Sequence, residues 1–204
     1  VDSDEWDARY AAADLLWSSG PNQFVVSEVS DLPPGRALDV ACGEGRNALW
    51  LAARGWTATG ADFSSVALDK AVRIADKRGV SVTWVHADVV TWTPDPQAYD
   101  LVLVFYLQLP RERRAPAFLA AAHAVAVGGT LLVVGHDSTN LTDGYGGPSE
   151  ATVLYAPDDV VADIAAAHLD VVKAERVERH VDTDEGPRVA IDCLVRATRV
   201  CAPH

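Results

Sequence analysis

Ala37-Leu38-Asp39-Val40-Ala41-Cys42-Gly43-Glu44-Gly45-Arg46-Asn47-Ala48 has the form of a short buried strand running through a glycine turn into a helix. Leu38 and Val40 suit a strand interior, while Gly43 and Gly45 permit a tight turn and a close approach of backbone to a ligand. The helix that follows, roughly Asn47 to Arg54, points its unpaired N–H groups back at the turn, which makes the turn a place for a cofactor. The same residues also read as Gly43-x-Gly45-x-x-Ala48, the dinucleotide fingerprint, and a plain strand-to-helix connection is a third reading.

Outward from this stretch, strand and helix alternate. Thr57 to Ala61 is a second strand, followed by Asp62-Phe63-Ser64-Ser65 and a helix to about Arg78. Val82 to Val85 is a third strand ending at His86-Ala87-Asp88, and Asp100 to Tyr106 a fourth, whose unbroken apolar run fits burial on both faces. An alanine-rich helix over about 115–127 ends at Gly128-Gly129, before a fifth strand over 130–135. Pro157 starts a further helix to about His168, and Val171 to Val181 and Arg188 to Thr198 read as an antiparallel hairpin. The expected fold is therefore α/β: a single doubly wound, Rossmann-like, seven-stranded and mostly parallel sheet, with helices on both faces and a C-terminal antiparallel hairpin.

One domain is expected over 1–204, with a helical cap or lid at 1–34, a cofactor-binding core at 35–135, an acceptor-site loop at 136–156, and a helix and closing hairpin at 157–204. The first helix spans about Asp2 to Trp17, with Trp6 and Tyr10 on one face; it reads equally as a lid or as a cover for a sheet edge. The 136–156 loop, with Gly144, Gly146, Gly147, Tyr145 and Tyr155, reads as an acceptor lid, the alternative being a mobile surface loop.

The chain's 204 residues carry 29 acidic against 17 basic side chains, a net charge of -12 that disfavours nucleic acid and anionic membranes and suits a small-molecule substrate. No apolar run is long enough to span a bilayer, and no signal peptide is visible at the first residue given, Val1. Cys42, Cys193 and Cys201 lack metal or disulfide spacing, so no metal site is expected and a reducing, cytoplasmic setting is the simplest. Arg111 to Arg114 reads as a solvated face.

Chemistry-bearing residues fall where strands end. Asp62, 17 residues past Gly45, is placed to accept from both ribose hydroxyls of an adenosine or to cap the next helix. Asp88 is placed to accept from an adenine amino group, with Ala87 and Val89 against the ring, or to serve as a turn carboxylate. Tyr106, Gln108, His136 and Asp137 are candidates for helping an acceptor lose its proton; His136 is the best placed, its alternative role being to brace the loop. His86 is expected to serve the turn at Asp88, His123 and His168 to be structural or surface residues, and Cys42 to pack as a small side chain.

Leu38 to Asn47, Gly60-Ala61-Asp62-Phe63-Ser64, Ala87-Asp88-Val89 and Tyr99-Asp100-Leu101-Val102 together resemble the class I S-adenosylmethionine-dependent methyltransferases. Trp6-Asp7-x-Arg9-Tyr10 with Trp17, the Cys-Gly-x-Gly-Arg-Asn turn and the loop from Asp137 to Pro148 are similar to the small thiopurine and tellurite-resistance methyltransferase group. The resemblance implies methyl transfer from S-adenosylmethionine to a small thiol, chalcogen oxyanion, phenol or amine, with S-adenosylhomocysteine as product. It implies that Asp39, Ala41, Gly43 and Gly45 surround the methionine part, with Asp39 near its ammonium group. Asp62 would then hold the ribose, Phe63 pack on adenine, and Asp88 and Val89 hold the base edge. Phe105 would sit beside the transferable methyl, and the Trp17 region would close over the site. Ala41 stands where the group carries its first glycine, so a slightly altered approach of the methionine carboxylate is expected. A nicotinamide-dependent oxidoreductase and a non-catalytic cofactor-binding regulatory domain are the alternatives, the first resting on the glycine turn and Asp62.

Overall fold

A computed structural model describes residues 3–12 and 20–200. The five strands expected in the core are β1 (Arg36–Val40), β2 (Thr57–Asp62), β3 (Val82–His86), β4 (Tyr99–Phe105) and β5 (Val125–His136), and the closing hairpin is β6 (Asp170–Thr183) and β7 (Gly186–Thr198). They form one seven-stranded sheet in the order β3-β2-β1-β4-β5-β7-β6. β1 to β5 pair in parallel, whereas β7 enters antiparallel between β5 and β6.

Alternation along β4 explains its unbroken apolar sequence. Val102 and Val104 face one core layer, with Leu38, Val40, Leu131, Val133, Phe118 and Ile164. Leu101, Leu103 and Phe105 face the other, with Ala37, Leu51, Val25, Leu132 and Val134. An inner strand buried on both sides needs apolar residues at every position, because both pleat directions meet protein.

The helices are α1 (Ser3–Ala11), α2 (Gln23–Val29), α3 (Arg46–Ala53), α4 (Ser65–Arg78), α5 (Arg111–Ala124), α6 (Asn140–Asp143) and α7 (Pro157–Ile164). α4 is bounded by standard chemistry: the Ser64 hydroxyl accepts from Ala67 N–H, and Gly79 closes it at φ 65°.

Several boundaries differ from those the sequence suggests. Among the described residues α1 ends at Ala11, and the expected continuation to Trp17 lies outside them. α5 begins at Arg111 rather than 115, with Pro116 inside it. β5 begins at Val125, so Gly128 and Gly129 lie within the strand; Gly129 abuts the carbonyls of Tyr99 and Asp100, where a side chain would collide, and a register shift follows Tyr99. The glycines there mark a strand irregularity, not a helix end.

The Arg111–Arg114 cluster is not a solvated face throughout. Arg114 is buried and pairs with the buried Asp163 of α7 at 2.8 Å, its guanidinium 4.7 Å from the Tyr155 ring centroid; Arg111 reaches the same carboxylate at 3.2 Å. The spacing of one helix cannot reveal that a neighbouring helix supplies a buried acid.

The 137–156 segment is tied down. Asn140 donates to the Gly146 carbonyl at 2.8 Å and accepts from Ile191 N–H at 2.7 Å, stapling the loop to β7.

Candidate functional site

Strand order reverses between β1 and β4, and in open α/β sheets the crevice at the carboxyl ends beside such a point receives ligands. β1 delivers Asp39 and the turn from Ala41 to Gly45 to this end, β2 delivers Asp62, β4 delivers Phe105 and Tyr106, and β5 delivers His136.

The turn itself is left-handed at Ala41 (φ 56°), Gly43 (φ 54°) and Gly45 (φ 76°). Ala41 therefore occupies a conformation that glycine adopts at lower cost, a local strain at the mouth of the site. The two glycines have different neighbours. A Cβ at Gly43 would lie 2.6 Å from the Tyr10 hydroxyl of α1, whereas a Cβ at Gly45 would collide with the Trp84 ring of β3. Gly43 is thus the close-approach position beneath the N-terminal helix. Gly45 lets Trp84 pack under the turn, and Cys42 sits in the same small-residue packing beside Gly60.

Asp62 is buried and its two oxygens accept from Gly43 N–H at 2.8 Å and Ser64 N–H at 2.9 Å, so one carboxylate fixes both the glycine turn and the start of α4. Burial raises its pKa, the backbone N–H groups opposing the shift. Asp39 is buried behind it and accepts from Ala48 N–H of α3 at 3.2 Å. Burial pushes its pKa up to about 7, with Arg46 and the Ala48 N–H pulling the other way.

Phe63 is half-buried and Val89 buried. Asp88 is exposed, its Oδ1 accepting from Val90 N–H at 3.0 Å, and Ala87 N–H donates to the Asp62 carbonyl at 2.9 Å. His86 does not serve the Asp88 turn: its Nε2 lies 2.9 Å from the Phe63 carbonyl, bridging β3 to the β2 turn because the two strands are in register there. Trp17 lies outside the described residues.

α1 docks over this end by polar contacts. Asp7 accepts from the Ser64 hydroxyl, and Lys70 of α4 donates to the Tyr10 carbonyl at 2.5 Å and to Glu44 at 3.2 Å. Trp6 and Tyr10 stack at 5.6 Å on the same helix.

A second cluster lies at the ends of β4 and β5. Tyr106, left-handed at φ 55°, donates its hydroxyl to Asp192 Oδ2 at 2.7 Å and receives Asn22 Nδ2 at 3.3 Å. Arg179 Nε donates to the same Asp192 oxygen at 2.7 Å, its guanidinium 5.6 Å from the Tyr106 ring centroid. The other oxygen, Oδ1, faces His136 Nδ1 at 3.4 Å. Burial would raise Asp192, but His136, Arg179 and Tyr106 together hold its carboxyl below the usual range. Burial and the Asp192 charge raise the Tyr106 phenol. Arg46, at the start of α3, has a largely buried guanidinium close enough to Tyr106, Asp39, Arg179 and Tyr10 to interact with each, and burial lowers its pKa.

Of these, Asp192, Arg179 and Asn22 carry no recognisable signal of a role in the sequence, whereas Arg46 lies within the Cys-Gly-x-Gly-Arg-Asn turn. Asp192 reaches His136 only because β7 runs antiparallel beside β5, putting the two residues directly opposite. Gln108 takes a bracing position, accepting from His136 N–H at 3.0 Å and donating to the Val153 carbonyl at 2.8 Å. Asp137 accepts from Arg176 and Thr139. His123 and His168 lie away from this end, on α5 and after α7. No group of metal-ligating side chains occurs among the described residues.

Comparison with known proteins agrees with this geometry. A family described as methyltransferase domain matches residues 37–129. The 2-heptyl-1-hydroxyquinolin-4(1H)-one methyltransferase of Mycobacteroides abscessus is 31% identical over 142 residues, covering 67% of this chain and 63% of the relative. Thiocyanate methyltransferase 1 of Brassica oleracea is 25% identical over 171 residues, covering 80% of this chain and 74% of the relative. The chain thus spans less than two thirds of the first relative's length. Among solved structures, one describing conversion of a disulfide bond into a thioacetal group during echinomycin biosynthesis superposes with TM-score 0.78 at 21% identity, covering 97% of this chain and 91% of that one. TehB from Haemophilus influenzae superposes with TM-score 0.73 at 20% identity, covering 97% and 66%. From its strand order, its glycine turn and these likenesses, the chain has the class I S-adenosylmethionine-dependent methyltransferase fold.

Proposed function

We propose that this protein transfers a methyl group from S-adenosylmethionine to a small-molecule nucleophile, releasing S-adenosylhomocysteine. The observation that carries this reading is Asp39, a carboxyl buried beside the glycine turn where burial pushes its pKa up to about 7, so that a cationic ligand bound there would favour its charged form. S-adenosylmethionine brings an ammonium group and a sulfonium, so the residues present fit the group.

Asp39 and the Ala41–Gly45 turn would hold the methionine part. Asp62 keeps lone pairs beyond its two backbone hydrogen bonds and would accept from the ribose hydroxyls. Phe63, Ala87, Asp88 and Val89 would surround the adenine, and Phe105 would wall the methyl end. When bound, the cofactor supplies a methyl already activated on sulfur, so the chain's own task is to align the acceptor at about 3–3.5 Å and keep water out. Tyr10 on α1 covers Gly43, and the 137–156 loop, stapled to β7 through Asn140, would cover the acceptor side.

The relatives named for a hydroxyquinolone and for thiocyanate support a small acceptor, and the net charge of -12 supports one that is neither nucleic acid nor membrane lipid. Calorimetry with S-adenosylhomocysteine and with NADH tests the reading. Binding of the first and not the second is expected; the reverse would establish the nicotinamide alternative.

A further inference from the structure

The acceptor end of the site holds one carboxylate whose two oxygens have been given different partners. Asp192 Oδ2 takes the Tyr106 hydroxyl and Arg179 Nε, both at 2.7 Å. Oδ1 faces His136 Nδ1 at 3.4 Å, outside hydrogen-bond geometry, and neither of these buried atoms has another hydrogen-bond partner among the described residues. A carboxylate presents only acceptors, so the imidazole nitrogen facing it is the protonated one, and the lone pair is placed on Nε2. No hydrogen bond among the described residues uses His136 Nε2. The ring is also confined: the Tyr106 ring lies 5.0 Å away, Gly147 (φ 82°) lies so close that a Cβ there would meet the imidazole at 2.9 Å, and the backbone N–H of His136 is held by Gln108 Oε1 at 3.0 Å.

The charges around the ring come from every element packed on it. Asp192 comes from β7, Arg179 from β6, and Tyr106 from the end of β4; Asp137, next in the chain, is engaged by Arg176 at 2.8 Å. The Arg179 guanidinium balances the Asp192 charge. The carboxylate therefore orients the imidazole while its own charge is shared.

We infer that Asp192 positions His136 as a general base and that the acceptor is a phenol-type hydroxyl, whose proton passes to His136 Nε2 as its oxygen takes the methyl group. This rests on the methyl-transfer reading above. The O–H bond breaks and its proton goes to the imidazole; the oxygen lone pair forms the new O–CH3 bond; the S–CH3 electron pair returns to sulfur, turning the sulfonium donor into a thioether. The imidazolium then releases its proton to solvent. A phenol with a pKa near 10 is mostly protonated at neutral pH and needs such a base, whereas a thiol near 8.5 or a ready anion needs it far less. Tyr106, Phe105 and His136 supply aromatic walls suited to a flat acceptor, the first two 6.4 Å apart edge to face.

Two measurements test this. Long-range proton–nitrogen NMR of the 15N-labelled full chain, with His136→Gln to assign the signal, is expected to show His136 as the Nδ1–H tautomer, and Asp192→Asn to lose that preference. Turnover of a series of substituted phenols of decreasing pKa is expected to fall by about 10²–10⁴ in His136→Gln for the least acidic members and to approach wild type for the most acidic. An Nε2–H tautomer in the wild-type protein, equal losses across the series, or failure of the wild type to methylate any phenol overturns the inference. S-adenosylhomocysteine binding by calorimetry separates these failures from failure of the methyl-transfer reading, which would appear as loss of binding in the wild type itself.

Discussion

The hydroxyl of Tyr10 stands directly over Gly43, so that a methyl group built on that glycine would fall 2.6 Å from the phenolic oxygen. The N-terminal helix and the β1–α3 turn are therefore fitted to each other. Gly43→Ala adds a left-handed alanine, at about 1–2 kcal/mol, and displaces Tyr10. We expect the melting temperature to fall by roughly 2–8 °C and S-adenosylhomocysteine to bind more weakly. Gly79→Ala is the control, because Gly79 is also left-handed (φ 65°) but has open space around its α-carbon. It should lose comparable stability and no affinity, and thermal melts with calorimetry on both variants check this.

Asp39 makes stability and binding depend on pH in opposite senses. Its folded pKa of about 7 lies above the ordinary 3.8, so the folded state holds the proton more tightly than the unfolded chain. The stability it contributes is present below about pH 4 and lost as pH rises to about 7, an effect on the order of 4 kcal/mol. Asp39→Asn should be more stable than wild type at about pH 8, with the gap closing towards about pH 4, as urea denaturation at several pH values will read. The wild-type affinity for S-adenosylhomocysteine should weaken as pH falls below about 7, while Asp39→Asn binds weakly with little dependence on pH across the same range.

Asp62 holds backbone on two sides and, on the methyl-transfer reading, the ribose as well. Asp62→Ala should weaken S-adenosylhomocysteine binding by about 1.5–3 kcal/mol, the worth of hydrogen bonds to a charged group. An analogue lacking both ribose hydroxyls isolates that part. It should bind more weakly than S-adenosylhomocysteine to the wild type, but no more weakly than S-adenosylhomocysteine to Asp62→Ala. Equal losses in both proteins would move the ribose elsewhere.

The Arg114–Asp163 pair is buried against Tyr155. Removing one partner leaves an uncompensated buried charge, so Asp163→Ala should cost about 3–5 kcal/mol and lower the melting temperature by roughly 6–20 °C. Replacing the pair together, as Arg114→Met with Asp163→Leu, should cost less than Asp163→Ala alone. Thermal denaturation of the three proteins decides it.

Much of this architecture is legible in the chain itself, because each core strand of the parallel half carries its own punctuation. Gly43 and Gly45 after β1, Asp62 after β2 and the apolar run of β4 are local signals, and local signals survive in sequence. The boundaries that shift do so where packing overrides propensity. Gly128 and Gly129 look like a helix stop but sit in β5, and Arg114 looks solvated until Asp163 of α7 is seen beside it. The Tyr106–Asp192–His136 cluster is the least legible part. His136 stands out at the end of a strand, but Asp192 and Arg179 are unremarkable members of a hairpin, and only the antiparallel register of β7 on β5 sets Asp192 opposite His136.

The placement of β7 between β5 and β6 also has a bearing on how the protein comes into being. Synthesis proceeds from the N-terminus, and the strands that carry Asp39, Asp62 and Tyr106 have all left the ribosome before β7 is made. Until then β5 is an open sheet edge and Tyr106 has no Asp192 to receive its hydroxyl. Insertion of β7 therefore closes that edge and completes the charge cluster in one event, so the nascent chain gains this cluster only when β7 joins its sheet.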